Sequence, residues 1–263
     1  MKVISSNING LNSAVKYRFF DWLTWQSPDI ACLQELNVAD ITTAFAKWAR
    51  QAGYEIALSP RVGKDNGGVA ILSRHGFDDI EVASGLLRDR GQIVCARIGP
   101  LSVCSAYVSL NNSEEERHTF QGIFDAMAER NDLALICGDF NIIATEREAD
   151  TKYHSGSLGF KPEERAWLGS ILRTWTDVLP LCCDGERIRT FWIRNKERFE
   201  ANLGTRIDYQ LASPELAKLA LPKSGSVFRE YFRGLRITDH GPIIIEYNLA
   251  LGDESSPIRK SLA

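Results

Sequence analysis

Leu133-Ala134-Leu135-Ile136-Cys137-Gly138-Asp139-Phe140-Asn141 is the stretch from which the fold is read. Its apolar run has no helical spacing and reads as a strand buried on both faces, the kind found inside a layered domain. The run ends in Gly-Asp, so a carboxylate stands where a buried strand reaches the surface. On an extended segment Asp139 and Asn141 would face the same way, and Gly138 would let a ligand come close.

The same arrangement recurs upstream, where Ile30-Ala31-Cys32-Leu33 runs into Gln34-Glu35 and an amphipathic stretch with Ile41, Phe45, Trp48 and Ala49 closes at Gly53. Before it, an extended start over 2–8 breaks at Asn9-Gly10, and Val15, Phe19, Trp22 and Leu23 recur at helical spacing until Ser27-Pro28. From 54 to 108 short β-rich runs (68–73, 93–98 and 101–108) suggest antiparallel meanders with no helix between them. Ser113 and Glu116 have capping-box spacing ahead of a stripe of Phe120, Ile123, Phe124 and Met127. Pro162 opens a helix with Trp167, Leu168, Ile171 and Leu172, and strands are expected over 190–192, 207–212, 227–231 and 242–248. Antiparallel runs with segregated helices predict an α/β sandwich, two packed mixed β-sheets covered by helices.

With 263 residues and 44% hydrophobic content, one large core suffices, so a single domain over 1–249 with a solvated tail at 250–263 is expected. The net charge of -3 excludes a global basic field, and any polyanion must be gripped locally or through metal. Six cysteines without CxxC spacing lie mostly in apolar runs, which suggests reduced thiols in a cytoplasmic protein. The polar N-terminus does not resemble a signal peptide, and no apolar run approaches the ~20 residues of a membrane helix.

Glu35, Asp139, Asp208 and Asp239 with its neighbour His240 fall at or beside expected strand ends, together with Asn7 and Asn141. Carboxylate and amide oxygens suit a hard octahedral cation, so Mg²⁺ is expected, with Mn²⁺ able to substitute and Glu35 and Asp239 as direct ligands. Four histidines without HxH or HxxxH pairing make zinc less attractive. Asp139 can orient or deprotonate a water and Asn141 can donate to a phosphate, while His240, held by a carboxylate such as Asp208, can offer an imidazolium N–H. Singly these features are bland. A lone Asp at a strand end is usually a turn or cap, and Asn9-Gly10 is the strongest hairpin dipeptide. The functional reading rests on the set.

Taken in order, Asn7-Ile8-Asn9-Gly10-Leu11, Leu33-Gln34-Glu35, Tyr107, Gly138-Asp139-Phe140-Asn141, Arg206-Ile207-Asp208-Tyr209 and Thr238-Asp239-His240-Gly241-Pro242 resemble exonuclease III and the abasic-site endonucleases of the endonuclease/exonuclease/phosphatase superfamily. The match spans nearly the whole chain and includes Gly159-Phe160-Lys161-Pro162-Glu163-Glu164-Arg165. The resemblance implies a four-layer α/β sandwich. It implies metal at Glu35 supported by Asn7 and Asp239, Asp139 on the attacking water, and Asn141, Tyr107 and His240 on the phosphate, with Asp208 orienting His240. Phe191, Trp192 and Ile207 would face the substrate. That substrate would be double-stranded DNA with abasic sites or 3′ ends, cut by a monomer of base-excision repair to leave 3′-hydroxyls. Leu110 stands where relatives carry a phosphate-contacting Asn, so either Asn111 or Asn112 substitutes or that grip is lost. Thr205 replaces a bulkier apolar residue, and Leu158 a small one. Trp22, Trp25, Trp48 and Trp167 sit on helical stripes and read as core. The main rival is a superfamily relative acting on RNA 3′ ends or on phosphoinositide or sphingomyelin head groups. A catalytically dead binding module and a scaffold fit the intact carboxylate set less well.

Overall fold

The computed structural model describes residues 1–37, 42–61, 67–82, 87, 90–110, 112–130, 133–150, 159–184, 187–193 and 196–251. Two six-stranded sheets form its centre. The first runs β11 (Ser226–Val227), β12 (Ile243–Glu246), β1 (Lys2–Asn7), β2 (Ile30–Gln34), β4 (Val69–Ser73) and β3 (Glu55–Ser59). The second runs β5 (Asp79–Val82), β6 (Ile93–Ile98), β7 (Leu101–Tyr107), β8 (Ala134–Asp139), β10 (Asp208–Ala212) and β9 (Thr176–Asp177). A parallel pair, β1 with β2 and β7 with β8, lies inside each sheet, and the remaining pairs are antiparallel. Both sheets are therefore mixed, as expected.

Side-chain alternation builds the layers. Along β8, Leu135 and Cys137 point into the core between the sheets with Val3, Ile30, Val69 and Val103, while Ala134 and Ile136 point outward to Phe120, Phe124, Trp167 and Leu168. Those outer residues belong to α4 (Glu114–Arg130) and α5 (Pro162–Ile171). On the other side Ile4, Ala31 and Leu33 meet Phe19, Trp22, Leu23 and Phe45 of α2 (Phe19–Gln26) and α3 (Thr43–Gln51). Each fully buried aliphatic or aromatic side chain contributes about 1.5–3 kcal/mol, and it is the filling of both faces that makes the central strands continuously apolar. Two polar pairs link the sheets across this core: Gln34 Nε2 donates to Ser105 Oγ at 3.1 Å, and Tyr247 Oη to Gln210 Oε1 at 3.2 Å.

The Ser113–Glu116 capping box forms, with the Ser113 N–H on Glu116 Oε2 at 2.6 Å and the Glu116 N–H on Ser113 Oγ at 3.2 Å. Other expectations need correction. The first helix is broken into α1 (Leu11–Lys16) and α2 by Arg18, whose φ is 62°, so Leu11 and Ala14 are buried and Val15 is 67% exposed. Trp25 is also 67% exposed. Strand structure over 190–192 reduces to isolated bridges at Phe191, and that over 227–231 to Val227, the second residue of β11. Leu87 alone among the described residues between 54 and 108 is helical. Short helices at Leu179–Cys182, Lys196–Glu200 and Pro214–Ala217 carry too few residues to show a period. Cys95 and Cys104, directly opposite on β6 and β7, are disulfide-bonded, so the expectation of reduced thiols does not hold for this pair. Ile41, Asn111, Leu158 and the tail from 252 lie outside the described residues. Among the described residues no helix is long and apolar enough to cross a membrane.

Candidate active site

Strand polarity brings the polar residues to one rim. The parallel pairs end together, with Asn7 in register with Gln34 and Tyr107 with Asp139, while antiparallel β10 begins at Asp208 opposite Asp139. Asn7 Nδ2 donates to Asp139 Oδ2 at 2.9 Å, a bond that crosses from one sheet to the other. Asn7 Oδ1 in turn accepts the Asn9 N–H at 2.9 Å, and Asn9 Nδ2 donates to Asp239 Oδ2 at 2.7 Å. In the sequence Asn9 reads only as a turn former. Its φ of 53° satisfies that role, and its side chain also ties Asp239 into the rim.

His240 lies at the centre of a buried triad. Its Nδ1 is 3.0 Å from Asp208 Oδ2 and its Nε2 is 3.8 Å from Asp139 Oδ2. Burial would lower the imidazole pKa, but the charges of Asp208 and Asp139 outweigh it and lift it to about 10. Asp139 is pushed up to about 8 by burial and by Asp208, against the pull of His240 and the Asn7 hydrogen bond. Phe191 packs its ring on the imidazole, with centroids 4.8 Å apart. Thr190 Oγ1 accepts the N–H groups of both Ile207 and Asp208 at 3.1 Å, and so fixes the start of β10. Thr238 Oγ1 donates to the Asn7 carbonyl at 2.8 Å and fixes the loop that carries Asp239 and His240. In the sequence Thr238 is only the leading residue of the Asp-His motif and Thr190 does not stand out, because a hydroxyl that satisfies a backbone group leaves no periodic trace.

Across the rim the Tyr107 hydroxyl is close enough to Glu35 and Asn141 for both to influence its proton. Burial, followed by the charges of Glu35 and Asp139, raises its pKa, so it remains a neutral donor. Asn141 does not lie on an extended segment. Its φ is 53°, its N–H caps Asp139 Oδ1 at 2.8 Å, and its Nδ2 donates to the Val108 carbonyl at 3.0 Å. Gly138 also differs from expectation: a Cβ there would lie 2.3 Å from the Ala106 carbonyl oxygen, so the glycine allows β7 to approach β8 and does not make room for a ligand.

The residues expected to face substrate separate. Phe191 is half-buried, while Ile207 packs with Ile143 and Phe160 in a small apolar cluster that Phe191 joins. Trp192 is fully buried, edge-on to Phe199 at 5.3 Å, and its ring offers no surface to a substrate. Asn112 does not replace the missing phosphate contact either, because its amide is paired with that of buried Gln92 at 3.0 and 3.1 Å. Leu110 is 39% exposed at the expected position.

Among the described residues the compact group with metal-ligating atoms is Asp139, Asp208 and His240, which can hold an ion. With His240 raised to about 10, however, its ring carries a proton near neutrality, and an imidazolium is no ligand. Glu35 and Asp239 are half-buried oxygen donors on the same rim, and Asn7 Oδ1 keeps a lone pair beyond its bond to Asn9. That donor set fits a hard cation.

The model for the endonuclease/exonuclease/phosphatase family matches residues 4–240, from β1 through the histidine of the triad. The chain belongs to this family. Members with related sequences include the DNA repair nuclease APEX1 of Danio rerio, 28% identical over 238 residues, covering 82% of this chain and 74% of that protein. The exodeoxyribonuclease of Bacillus subtilis is 24% identical over 234 residues, covering 82% and 89%. Among solved structures, an AP endonuclease from Archaeoglobus fulgidus superposes with a TM-score of 0.82 at 25% identity, covering 95% of this chain and all of that one. A 3′-5′ exonuclease from Neisseria meningitidis gives 0.81 at 25% identity with the same coverage.

Proposed function

We propose that this family member is a metal-dependent nuclease of DNA repair. It hydrolyses phosphodiester bonds of double-stranded DNA at abasic sites or 3′ ends and leaves 3′-hydroxyls. The observation that carries the reading is the chain of close polar contacts from Asp208 through His240 to Asp139 and Asn7, which ends beside Glu35 and Tyr107 on one rim. The relatives named for abasic-site and 3′-end chemistry support the substrate.

Each residue has work matched to its surroundings. Asp139, buried and raised to about 8, accepts a proton from the attacking water once ionised, while the Asn141 N–H and Asn7 amide keep its oxygens aimed. His240, held as imidazolium by Asp208, donates to a phosphate oxygen as charge develops there, with Tyr107 and Asn141 as neutral donors on the opposite side. Phe191 and Ile207 form an apolar wall beside the triad. Mg²⁺, for which Mn²⁺ can substitute, would be held by Glu35 with Asp239 and Asn7, where a divalent cation neutralises charge on phosphate oxygens. The accompanying expectation is a cytoplasmic monomer.

The test is Mg²⁺-dependent cleavage of two labelled duplexes, one with an internal abasic-site analogue and one with a 3′-phosphate or recessed end, with an EDTA control. Incision at the abasic site or processing of the end, abolished by EDTA, is the expected result. Inactivity on both duplexes would overturn the DNA reading and direct attention to RNA and phospholipid esters.

A further inference from the structure

Next to the Asp239 corner of the rim, and distinct from the apolar cluster of Phe191 and Ile207, lies a cavity of about 260 Å³. Tyr17, Phe199 and Tyr231 line it, together with Lys196, Arg236 and Asp239 itself. The cavity is therefore continuous with the candidate active site.

Its walls are held in place. Phe199 is buried and meets the Tyr231 ring edge-on at 5.7 Å, while the Arg236 guanidinium lies 4.3 Å over the Phe199 ring and donates to the Trp192 and Asp239 carbonyls. Tyr231 nevertheless stays 45% exposed, a large ring facing the open cavity. Lys16 stands over the Tyr17 ring at 5.1 Å. Lys196 pairs with Glu200 at 3.7 Å, a solvated contact that costs little to rearrange. Aromatic walls fit a flat π-system, and Lys196 and Arg236 fit the phosphate attached to it.

We propose that this cavity receives an unpaired nucleobase of the substrate strand next to the scissile phosphate, with the base stacked on Tyr231 and Tyr17 and its phosphate met by Lys196. The proposal rests on the nuclease reading and narrows its substrate. A base inside a duplex is already stacked and paired, so a frayed, mismatched or overhanging nucleotide enters at least cost. Substrates with an unpaired end gain a contact that fully paired ones lack.

The experiment uses the full chain, Tyr231→Ala and Tyr231→Phe, and two duplexes that differ only in an unpaired 3′ extension carrying 2-aminopurine. In EDTA, binding to the parent protein and to Tyr231→Phe quenches the probe by stacking, and Tyr231→Ala loses the quenching. With Mg²⁺, Tyr231→Ala raises KM for the extended duplex roughly tenfold while kcat and the fully paired duplex are unaffected. Quenching that survives Tyr231→Ala combined with Tyr17→Ala, or an equal KM change on both duplexes, would overturn the pocket. Tyr231-dependent quenching without cleavage of either duplex would support the pocket and defeat the nuclease reading.

Discussion

Asp208→Asn removes the charge of the triad while preserving its shape. The asparagine oxygen can still accept the Nδ1 proton, so His240 keeps its orientation and loses the anion 3.0 Å away. His240 stands at about 10 against an ordinary 6.5. The difference, 10 minus 6.5, corresponds to something on the order of 5 kcal/mol in favour of the imidazolium at about 1.36 kcal/mol per pKa unit. Asp208 is the largest cause raising it and Asp139 the next, so the substitution removes the largest single raising cause. Asp139 moves in the same direction, because the charge of Asp208 helps to hold it at about 8. Both limbs of a bell-shaped rate profile therefore slide toward acid. With His240 brought down to its ordinary value, only about 3% of molecules would carry the imidazolium at pH 8, while Asp139, about half ionised there in the parent, becomes mostly ionised, so kcat/KM falls by about an order of magnitude at pH 8 and does not fall at pH 6, where the lowered Asp139 pKa increases its ionised fraction. The assay is duplex cleavage across that range, paired with an NMR titration of the His240 ring in the metal-free protein. Stability obeys the same linkage. A folded pKa above the unfolded one contributes stability that is fully present below about 6.5 and lost as pH rises through about 10. Urea unfolding should thus show Asp208→Asn most destabilised near pH 6 and least near pH 10. A uniform loss of rate with unmoved limbs would refute the electrostatic role and leave Asp208 a merely steric support.

Asp139→Asn should lower turnover by about 10²–10⁴-fold while circular dichroism and unfolding show an intact fold, and near-normal turnover would remove Asp139 from the proton path. Glu35→Ala should shift the Mg²⁺ titration to higher concentration with partial recovery of rate, whereas an unchanged titration would point to another ligand. Gly138→Ala should destabilise the fold by about 1–3 kcal/mol or more in urea unfolding, since its Cβ would lie 2.3 Å from the Ala106 carbonyl oxygen. A neutral result would mean that β7 and β8 can separate without cost.

What could be read from sequence was the type of residue at each strand end. A buried strand announces itself by an unbroken apolar run, and a carboxylate that terminates it is conspicuous, which is why Glu35, Asp139 and Asp208 were visible. What could not be read was the satisfaction of backbone groups and the filling of space between elements. Thr190 and Thr238 act by bonding main-chain atoms of distant segments, and Asn112 is consumed by Gln92 from a separate strand-side segment. Trp192 adjoins Phe191 in sequence, yet its ring turns to the other side and is sealed against Phe199. Adjacent residues on an extended segment point to opposite faces, so Phe191 and Trp192 could not both have met a substrate.

Strand direction explains why residues scattered from 7 to 240 share one rim. β1 and β2 run parallel, as do β7 and β8, and the Asn7–Asp139 bond shows that the two pairs finish at the same end of the sandwich. Four strands therefore deliver the residues at or just beyond their C-termini to that end: Asn7, Glu35, Tyr107 and Asp139. β10 and β12 run the other way, against β8 and β1, so they deliver the residues at or before their N-termini: Asp208, and Asp239 with His240. A carboxylate at the opposite end of any of these strands would be a full strand length away from the triad, however similar its local sequence. Polarity, more than residue type, thus selects which acidic residues converge, and it arises from the two parallel pairings inside otherwise antiparallel sheets.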